Sequence, residues 1–237
     1  MKRVNDIRAE FVQKYKDKDF FTDAHGNQVI EIIGASFLAD EDSIIGVPNQ
    51  DYIQKEIDWY RSESLNVNDI YGESRKPPKA WVMTADPHGN INSNYGSLIF
   101  SKKYYSQYKR VVNELIVNPS SRRATMVYTR PSIWVEYNEG GKSDFICTNA
   151  VTYYIRNDAL HCVVQMRSND AWAGYRNDYA WQKYVQHILF SDIAQSYSDV
   201  TQSYLNIGDI HWQVQNLHVY SRNFKYLEEL INDKQMG

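Results

Sequence analysis

Hydrophobic and polar residues recur along the chain with two different periods, and the change of period separates predicted helices from predicted strands. Apolar residues at helical spacing predict helices over residues 50–62 and 103–117, and further helices are expected over 176–196, over 222–234 and, as a polar helix, over 5–17. Alternating or β-branched runs predict strands over residues 27–38, 124–130, 148–156, 159–167 and 209–220, with the apolar part of the fourth beginning at Leu160.

Turn residues connect these elements. Gly34 and Ala35 permit a bend or bulge inside the first strand, and the sequence NDA at 157–159 predicts a hairpin. NPSS at 118–121 ends a helix, and SRKPPK at 74–79 is typical of a loop. Because helices and strands do not alternate strictly, the pattern favours an α+β fold. No linker-like segment divides residues 1–237, so we expect a single domain.

Composition narrows the function classes. The chain has 237 residues, of which 43% are hydrophobic, enough to build a core. The net charge of −3 argues against a general nucleic-acid-binding surface, so an anionic ligand needs a local cluster of basic residues. The chain has two cysteines, too few for a disulfide framework or a four-cysteine zinc site, and no metal is expected. Without a signal-like start or a membrane-length apolar run, we expect a cytoplasmic protein that does not bind membranes.

The candidate chemical groups each have an ordinary structural interpretation. Cys147 lies where an irregular segment enters a strand, but a lone cysteine is usually a small buried hydrophobe, which is the interpretation we give Cys162. Arg122 and Arg123 follow a turn. They are either a solvated surface pair or a clamp for a phosphate group. Asp178 lies near the predicted start of a helix, where capping would explain it.

Other candidates lie at strand ends and on a helix. QMRSND at 165–170 ends an apolar strand with a cation, a hydroxyl, an amide and a carboxylate, and strand ends often carry site residues. His218 and Tyr220 are two positions apart and so share one side of a strand. They are either core residues or residues of a site. Glu56, beside Trp59 and Tyr60, would by default be a surface residue.

Taken in order, these motifs resemble the thymidylate synthase family over about residues 27–224. The motifs are ExxWY at 56–60, Trp81, NYG at 94–96, NPSSRR at 118–123, Cys147, MRSND at 166–170, GYRND at 174–178 and LHVY at 217–220. Longer runs resemble the phage branch of the family, which hydroxymethylates deoxycytidylate. They are IEIIGASF at 30–37, NSNYG at 92–96, YTRPS at 128–132 and RNDYAWQKYV at 176–185.

The resemblance implies a large bent mixed β-sheet flanked by helices, placed at a homodimer interface, with 5,10-methylenetetrahydrofolate as cosubstrate. It implies that Cys147 attacks carbon 6 of the pyrimidine, and that Glu56 organises water and relays protons. It assigns the other residues as follows: Arg167, Ser168 and Asn169 to the nucleotide, Arg122 and Arg123 to its phosphate from the partner subunit, His218 and Tyr220 to the sugar, and Trp81, Tyr95 and Asp170 to the folate.

The base preference also has a chemical argument. Thymidylate synthases carry an asparagine four residues after the glycine of the GYRND-like motif, and counting from Gly174 gives Asp178. A carboxylate can accept from the cytosine amino group and from a protonated ring nitrogen, whereas an amide suits uracil. The neighbouring Asn177 makes a one-residue shift the competing assignment.

Two departures from the family pattern affect the expected site. FFTDAHGNQ at 20–28 contains no arginine where the family has an early phosphate-binding one, and the chain ends soon after the last predicted strand, without a long segment to close over folate. The closer resemblance to the phage branch leads us to expect a dCMP hydroxymethylase. The alternatives are a dUMP methylase or hydroxymethylase, a CMP hydroxymethylase, and a nucleotide-binding regulatory protein on the same fold, with other phage nucleotide-synthesis enzymes as potential partners.

Overall fold

The computed structural model describes residues 1–24 and 26–233, and its secondary structure is mixed. The helices are α1 (Val4–Lys16), α2 (Gln50–Arg61), α3 (Lys79–Thr84), α4 (Tyr95–Phe100), α5 (Gln107–Val117), α6 (Ile133–Glu136), α7 (Ala173–Thr201) and α8 (Phe224–Asp233). The strands are β1 (Lys2–Arg3), β2 (Phe21–Thr22), β3 (Gln28–Leu38), β4 (Thr125–Val127), β5 (Thr148–Arg156), β6 (Ala159–Met166), β7 (Asn169–Asp170) and β8 (Asn206–Tyr220).

All eight strands belong to one mixed sheet. Its order is β1-β3-β8-β6-β5-β4, with β2 paired to β3 and β7 paired to β8. The pairs β3–β8, β5–β6 and β4–β5 are antiparallel, whereas β6 and β8 run parallel. The sheet therefore confirms the predicted α+β class.

The long central strands change the phase of their side-chain alternation. In β3, Ile30 and Ile32 are buried, and then Ala35 and Phe37 are. Between them Gly34 has a φ of +71°, a left-handed conformation that glycine adopts without strain. On the paired strand β8 the buried set changes in the same way, from even-numbered to odd-numbered residues between 214 and 217. The predicted irregularity at Gly34 and Ala35 is confirmed.

One face of the sheet packs against helices and the other is exposed. The core cluster extends along the chain from Val4 to Leu227. On the helical side, Trp181 of α7 is fully buried and meets the Tyr60 ring edge-on, with ring centres 5.0 Å apart. On the opposite side Ser36, Gln213 and Gln165 lie side by side across three strands, and all three are exposed. We call this side the exposed face of the sheet. None of the described helices has the length and apolar character to cross a bilayer.

The hairpin prediction is confirmed in detail. Asn157 and Asp158 both have positive φ, 52° and 55°, as a two-residue type I′ turn requires. They join β5, which has the predicted bounds, to β6, which begins one residue before Leu160. The predictions for residues 5–17, 27–38, 50–62 and 209–220 are confirmed within a few residues.

Other predicted bounds are wrong. The helix expected from 103 begins at Gln107, because Tyr105 and Ser106 adopt left-handed φ values of 66° and 49°. The strand expected over 124–130 pairs with β5 over three residues, Thr125–Val127. The last helix begins at Phe224 after a single 3-10 turn, and residue 234 of its predicted span lies outside the described residues.

Candidate active site

The β5–β6 hairpin brings Cys147 and Arg167 together. Cys147 immediately precedes β5 and Arg167 immediately follows β6, and the two strands pair Thr148 with Met166. The Arg167 backbone N–H therefore donates to the Cys147 carbonyl at 2.9 Å. The Arg167 Nη2 lies 3.4 Å from the Cys147 Sγ. A hairpin register thus places a cation against the sulfur.

The Arg167 guanidinium is fixed by the segment that carries the cysteine. Its Nε donates to the Ile146 carbonyl at 3.0 Å and its Nη2 to the Phe145 carbonyl at 2.5 Å. The Phe145 ring lies 4.9 Å below the guanidinium. Arginine held in this way can offer its remaining N–H groups to an anion without reorganising.

Burial dominates the acidity of the nucleophile candidate. It raises the pKa of Cys147 to about 11, whereas Arg167 acts in the opposite direction and the negative charges of Asp178 and Asp144 add to the increase. The thiol is therefore the resting form at neutral pH in the absence of ligand. A thiolate would form when its proton is removed within a bound complex.

Asp144 connects the cysteine segment to the loop before α4. Its Oδ2 accepts from the backbone N–H groups of Asn92 at 2.5 Å and Ser93 at 2.8 Å, and its Oδ1 accepts from the Ser93 hydroxyl at 2.6 Å. Burial raises the pKa of Asp144, and the hydrogen bonds with Ser93 and Asn92 oppose that increase. The loop and the cysteine segment therefore form one hydrogen-bonded unit.

Glu56 is buried within α2, contrary to the surface position that sequence alone suggests, because it lies on the face of α2 that carries Tyr52 and Tyr60. Its side chain accepts hydrogen bonds from the Tyr52 hydroxyl and from the Trp81 indole N–H, the latter at 3.0 Å. Burial raises the pKa of Glu56 to about 7, against the opposing effect of these two hydrogen bonds. A carboxyl group with this pKa can exchange a proton at neutral pH.

Asp178 lies inside α7 rather than at its start. The helix begins at Ala173, so the capping explanation is wrong: Asp178 is the sixth helical residue. The Asn169 Nδ2 donates to its Oδ2 at 2.7 Å. Burial raises the pKa of Asp178 well above its ordinary value, the negative charge of Glu56 adds to the increase, and the Asn169 hydrogen bond opposes it. The predicted helix start at 176 was too late by three residues.

Three of the predicted groups lie close enough in the fold to act on one another electrostatically. The Glu56 charge raises the pKa of Asp178, and the Asp178 charge raises the pKa of Cys147. The three residues come from α2, α7 and the entry to β5. Three elements distant in sequence therefore place a thiol and two carboxyl groups in one partly buried environment.

The amide predicted to contact the nucleotide lies beside this group. Asn169 is buried in β7, and its Oδ1 has no hydrogen-bond partner within the described part of the chain. Ser168 lies in the connection between β6 and β7 and is half-buried. A buried amide oxygen without a partner normally has one in the working state, so Asn169 is suited to accept a hydrogen bond from a ligand.

His218 and Tyr220 share one side of β8, as their spacing predicts. Their rings meet edge-on with centres 4.9 Å apart. Burial lowers the pKa of His218, whereas Asp170, its pairing partner across β7–β8, acts in the opposite direction. The Asp170 Oδ1 accepts from the Trp172 backbone N–H at 2.8 Å. This end of β8 therefore presents a neutral imidazole, a phenol and a carboxylate together.

The two aromatic residues assigned to the folate lie in different environments. Trp81 is half-buried in α3, next to the exposed side chains of Val82 and Met83. Tyr95 is buried, with the Tyr60 ring stacked at 5.3 Å. Burial raises the pKa of Tyr95 and the Asp178 charge adds to this, so its hydroxyl lies near the coupled acids.

Arg122 and Arg123 lie far from Cys147 in the same chain. Both are exposed, and Arg123 pairs with Glu114 at 3.1 Å. The next residue, Ala124, accepts from the backbone of Tyr153 at 2.8 Å. Because Tyr153 is six residues along the strand from Cys147, the arginines lie roughly 20 Å from the sulfur at 3.3 Å per residue. They do not join the Cys147 group within one chain.

Two residues of the site were not identified from the sequence. The sequence analysis assigns Tyr52 no role, although its spacing of four from Glu56 on one helix predicts contact. Asp144 was overlooked, although an acidic residue three positions before the candidate nucleophile in an apolar segment is a usable signal. Tyr52 donates a hydrogen bond to Glu56, and Asp144 anchors the segment that carries Cys147.

Comparisons with known proteins agree with this geometry. The sequence profile described as thymidylate synthase matches residues 49–236. The chain is 50% identical over 229 residues to the deoxycytidylate 5-hydroxymethyltransferase of Enterobacteria phage T2, covering 97% of this chain and 91% of that protein. It is 52% identical over 221 residues to the proteins of the same name from Enterobacteria phages T4 and T6, covering 93% of this chain and 87% of each of them.

Proposed function

Because this chain belongs to the thymidylate synthase family, we propose that it transfers a one-carbon unit to carbon 5 of deoxycytidylate and adds water to give 5-hydroxymethyl-dCMP. The observation that supports this proposal most directly is Asp178, a half-buried carboxyl whose pKa is raised by desolvation and whose negative charge acts on the candidate nucleophile. The relatives at about half identity are deoxycytidylate 5-hydroxymethyltransferases.

Asp178 is the residue we expect to select cytosine. A raised pKa lets this carboxyl carry a proton that it can share with the cytosine ring nitrogen, while its other oxygen accepts from the 4-amino group. A proton at the ring nitrogen also withdraws electrons from carbon 6 and so assists attack there. Asn169, which donates to the Asp178 Oδ2, would hold the carboxyl in this orientation and read the base with its unpaired oxygen.

Cys147 is the proposed nucleophile. The thiol proton passes to solvent, the thiolate sulfur forms a bond to carbon 6, and the electron pair of the 5,6 double bond moves to carbon 5. The Arg167 guanidinium 3.4 Å from the sulfur stabilises the thiolate as it forms. Elimination of the sulfur after the one-carbon transfer regenerates the free thiol.

Glu56 is the proposed group for water and proton transfer. A pKa of about 7 matches the requirement of a general base that works near neutrality. It would take a proton from the water that supplies the hydroxyl group. Tyr52 and Trp81 act as positioning residues, because both donate to the Glu56 carboxyl.

The remaining nucleotide contacts are proposed from residues at the ends of strands. Arg167 and Ser168 would hold the phosphate, and His218 and Tyr220 the sugar hydroxyl. Arg122 and Arg123 would reach the phosphate from a second copy of the chain, since they lie too far from Cys147 in their own chain. The exposed face of the sheet is the proposed homodimer interface.

The described residues fit a folate derivative, 5,10-methylenetetrahydrofolate, which supplies the one-carbon unit when bound. The half-buried Trp81 and its exposed apolar neighbours Val82 and Met83 offer a surface for a flat heterocycle. The Asp170 carboxylate can accept hydrogen bonds from ring N–H groups. The Tyr95 hydroxyl is the third proposed contact.

The whole chain, residues 1–237, would act as one catalytic domain in the bacterial cytoplasm of the infected host. The same fold and nucleophile would serve a dUMP methylase or hydroxymethylase, or an enzyme for CMP. A regulatory nucleotide-binding protein is the alternative without catalysis. The retained Cys147 and Glu56 favour an enzyme, and Asp178 favours cytosine over uracil.

The test is incubation of the purified full chain with methylenetetrahydrofolate and dCMP, dUMP or CMP in parallel. Mass spectrometry of the nucleotide distinguishes a methyl from a hydroxymethyl product. We expect hydroxymethylated dCMP and far slower reaction of dUMP and CMP. Preferential modification of dUMP would overturn the substrate assignment, and binding of dCMP without any product would favour the regulatory alternative.

A further inference from the structure

A group of metal-ligating side chains lies on the exposed face of the sheet, which is the proposed homodimer interface, at the opposite end of β6 and β8 from Arg167 and His218 of the same chain. It consists of His161 on β6 and of Asp209 and His211 on β8, with one potential ligand atom from each lying within 4.8 Å of the others. The two imidazole rings have centres 6.3 Å apart. The sequence analysis predicts no metal, and this site departs from that expectation, because His161 lies 48 and 50 positions before Asp209 and His211 and the fold alone brings them together.

A bulge in the parallel β6–β8 pair creates this arrangement. The register shifts between Leu160, which pairs with Ile207, and Cys162, which pairs with Ile210. Gly208 and Asp209 therefore oppose His161 alone, and the Asp209 backbone N–H donates to the His161 Nδ1 at 2.9 Å. Bulges of this kind redirect side chains, here Asp209 and His211 toward His161.

The bulge is held in place from the helical side of the sheet. The buried Gln186 of α7 donates to the Leu160 carbonyl at 2.8 Å and to the Gly208 carbonyl at 3.1 Å. A Cβ on Gly208 would lie 2.7 Å from the His161 Nδ1, so glycine is needed for the ring to rest against the strand. The backbone under the cluster is therefore preorganised.

We propose that His161, Asp209 and His211 form a binding site for a divalent transition-metal cation, with Zn²⁺ as the best match. Two imidazoles and one carboxylate are a ligand set that zinc accepts, leaving a fourth position for water. Ligand atoms around tetrahedral zinc lie about 3.3 Å apart, so they must approach from their present separation. The Asp209 side chain is 57% exposed in the single chain and can make this movement by rotation before a second copy covers the face.

Binding exchanges one interaction at His161 for another. The Nδ1 lone pair that now accepts the Asp209 N–H would coordinate the metal, and no proton has to leave this nitrogen. The metal would connect β6 to β8 at the end where both strands begin. It would not take part in the proposed hydroxymethyl transfer.

The test uses tag-free full-length protein that has been freed of metal with a chelator. Zn²⁺ affinity and stoichiometry are measured by calorimetry, and Co²⁺ is used as a spectroscopic probe of tetrahedral coordination. We expect one Zn²⁺ per chain, with Asp209→Asn, His161→Gln and His211→Gln each weakening binding by at least about tenfold. His88→Gln is the matched control and should bind as the unmodified chain does.

Thermal unfolding gives an independent measurement. Zn²⁺ should raise the Tm of the unmodified chain and of His88→Gln, but not that of Asp209→Asn, whose shape is almost unchanged. Binding that is equally tight in the His161→Gln, His211→Gln double variant would overturn the site. The site would also be overturned if His88→Gln weakened Zn²⁺ binding as much as the site variants do.

Discussion

At the residue scale, the two cysteines differ in what lies next to the sulfur. Cys147 has the Arg167 guanidinium within 3.4 Å, whereas Cys162 is fully buried on β6. Cys147→Ala should reduce turnover of dCMP by several orders of magnitude while leaving nucleotide binding intact. Cys162→Ala is the control and should cost packing stability of about 1 kcal/mol with activity retained. Steady-state rates and dCMP affinity check both. Residual activity of Cys147→Ala above about a tenth would refute its role.

The choice of base should depend on Asp178. Asp178→Asn replaces a group that can share a proton with cytosine by an amide that suits uracil. We expect kcat/KM to fall for dCMP and to rise for dUMP, with the ratio changing by at least about tenfold, because an unpaired buried polar group rejects a substrate strongly.

The control for this exchange is the preceding residue. Asn177→Ala should leave the dCMP to dUMP ratio unchanged. If instead Asn177→Ala alters the ratio and Asp178→Asn does not, the base is read one position earlier. The location of Asp178 six residues into α7 already removes helix capping as an explanation of a neutral result.

Glu56 should give the protein a measurable pH dependence of stability. Its pKa is raised to about 7 in the folded chain, so the folded state holds this proton more tightly than the unfolded state. Unfolding free energy is therefore lost as pH rises from the ordinary carboxyl range through about 7. Glu56→Gln removes this loss. Without the Glu56 charge the pKa of Asp178 is also lower, which further reduces the stability lost at high pH.

The measurement is urea unfolding of both proteins at pH 5 and pH 8. Relative to the unmodified chain, Glu56→Gln should gain up to about 3 kcal/mol of stability between these two values. Turnover should nevertheless fall, because glutamine cannot take a proton from water. If the unfolding free energies of the two proteins changed equally between pH 5 and pH 8, the burial of an ionisable Glu56 would be contradicted.

At the element scale, α2 and α4 touch backbone to backbone. A Cβ on Gly96 would lie 1.7 Å from the Tyr60 carbonyl oxygen, so the helices could not keep their separation. Gly96→Ala should therefore destabilise the protein by about 1–3 kcal/mol, although alanine is the better helix former. It should also lower kcat, because Glu56 lies one turn before Tyr60. Ser97→Ala on the same helix is the control, and a stability gain in Gly96→Ala would contradict the close contact.

The sequence predicts local geometry well and boundaries poorly. The β5–β6 hairpin follows from alternation and two turn residues, and its register alone brings Cys147 to Arg167. The start of α7 was misplaced because Ala173 and Gly174 carry little helical periodicity. The burial of Glu56 depends on contacts with Trp81 of another element. Such long-range contacts are not visible in the periodicity of a single segment.

At the scale of the whole molecule, the active site should require two chains. Arg122 and Arg123 lie roughly 20 Å along the sheet from Cys147 and carry exposed charges. The assay is run at a dCMP concentration too low for the weakened affinity of Arg123→Ala, so that this variant and Cys147→Ala are each inactive. Refolding the two together should then restore activity, since one site of each heterodimer has both groups. Up to about a quarter of the unmodified activity is expected from random pairing. Each single variant should remain inactive when refolded alone.

The affinity for dCMP gives a second test of the proposed phosphate contacts from the partner subunit. A charged hydrogen bond contributes about 1.5–3 kcal/mol, so Arg122→Ala and Arg123→Ala should each weaken dCMP binding by that amount. Heterodimers that form, as shown by mass spectrometry, but stay inactive would exclude the shared site.

The position of β8 in the middle of the sheet has a consequence for biosynthesis. Strand β3 is complete within the first forty residues, yet its partner β8 begins at Asn206, and Glu31 hydrogen bonds to Asn216 across 185 positions. During translation the edge of β3 that pairs with β8 must therefore remain unpaired until most of the chain has been made. Joining strands so distant in sequence is slow, because a long loop has to close first. The nascent chain is thus most vulnerable to aggregation just before β8 emerges from the ribosome.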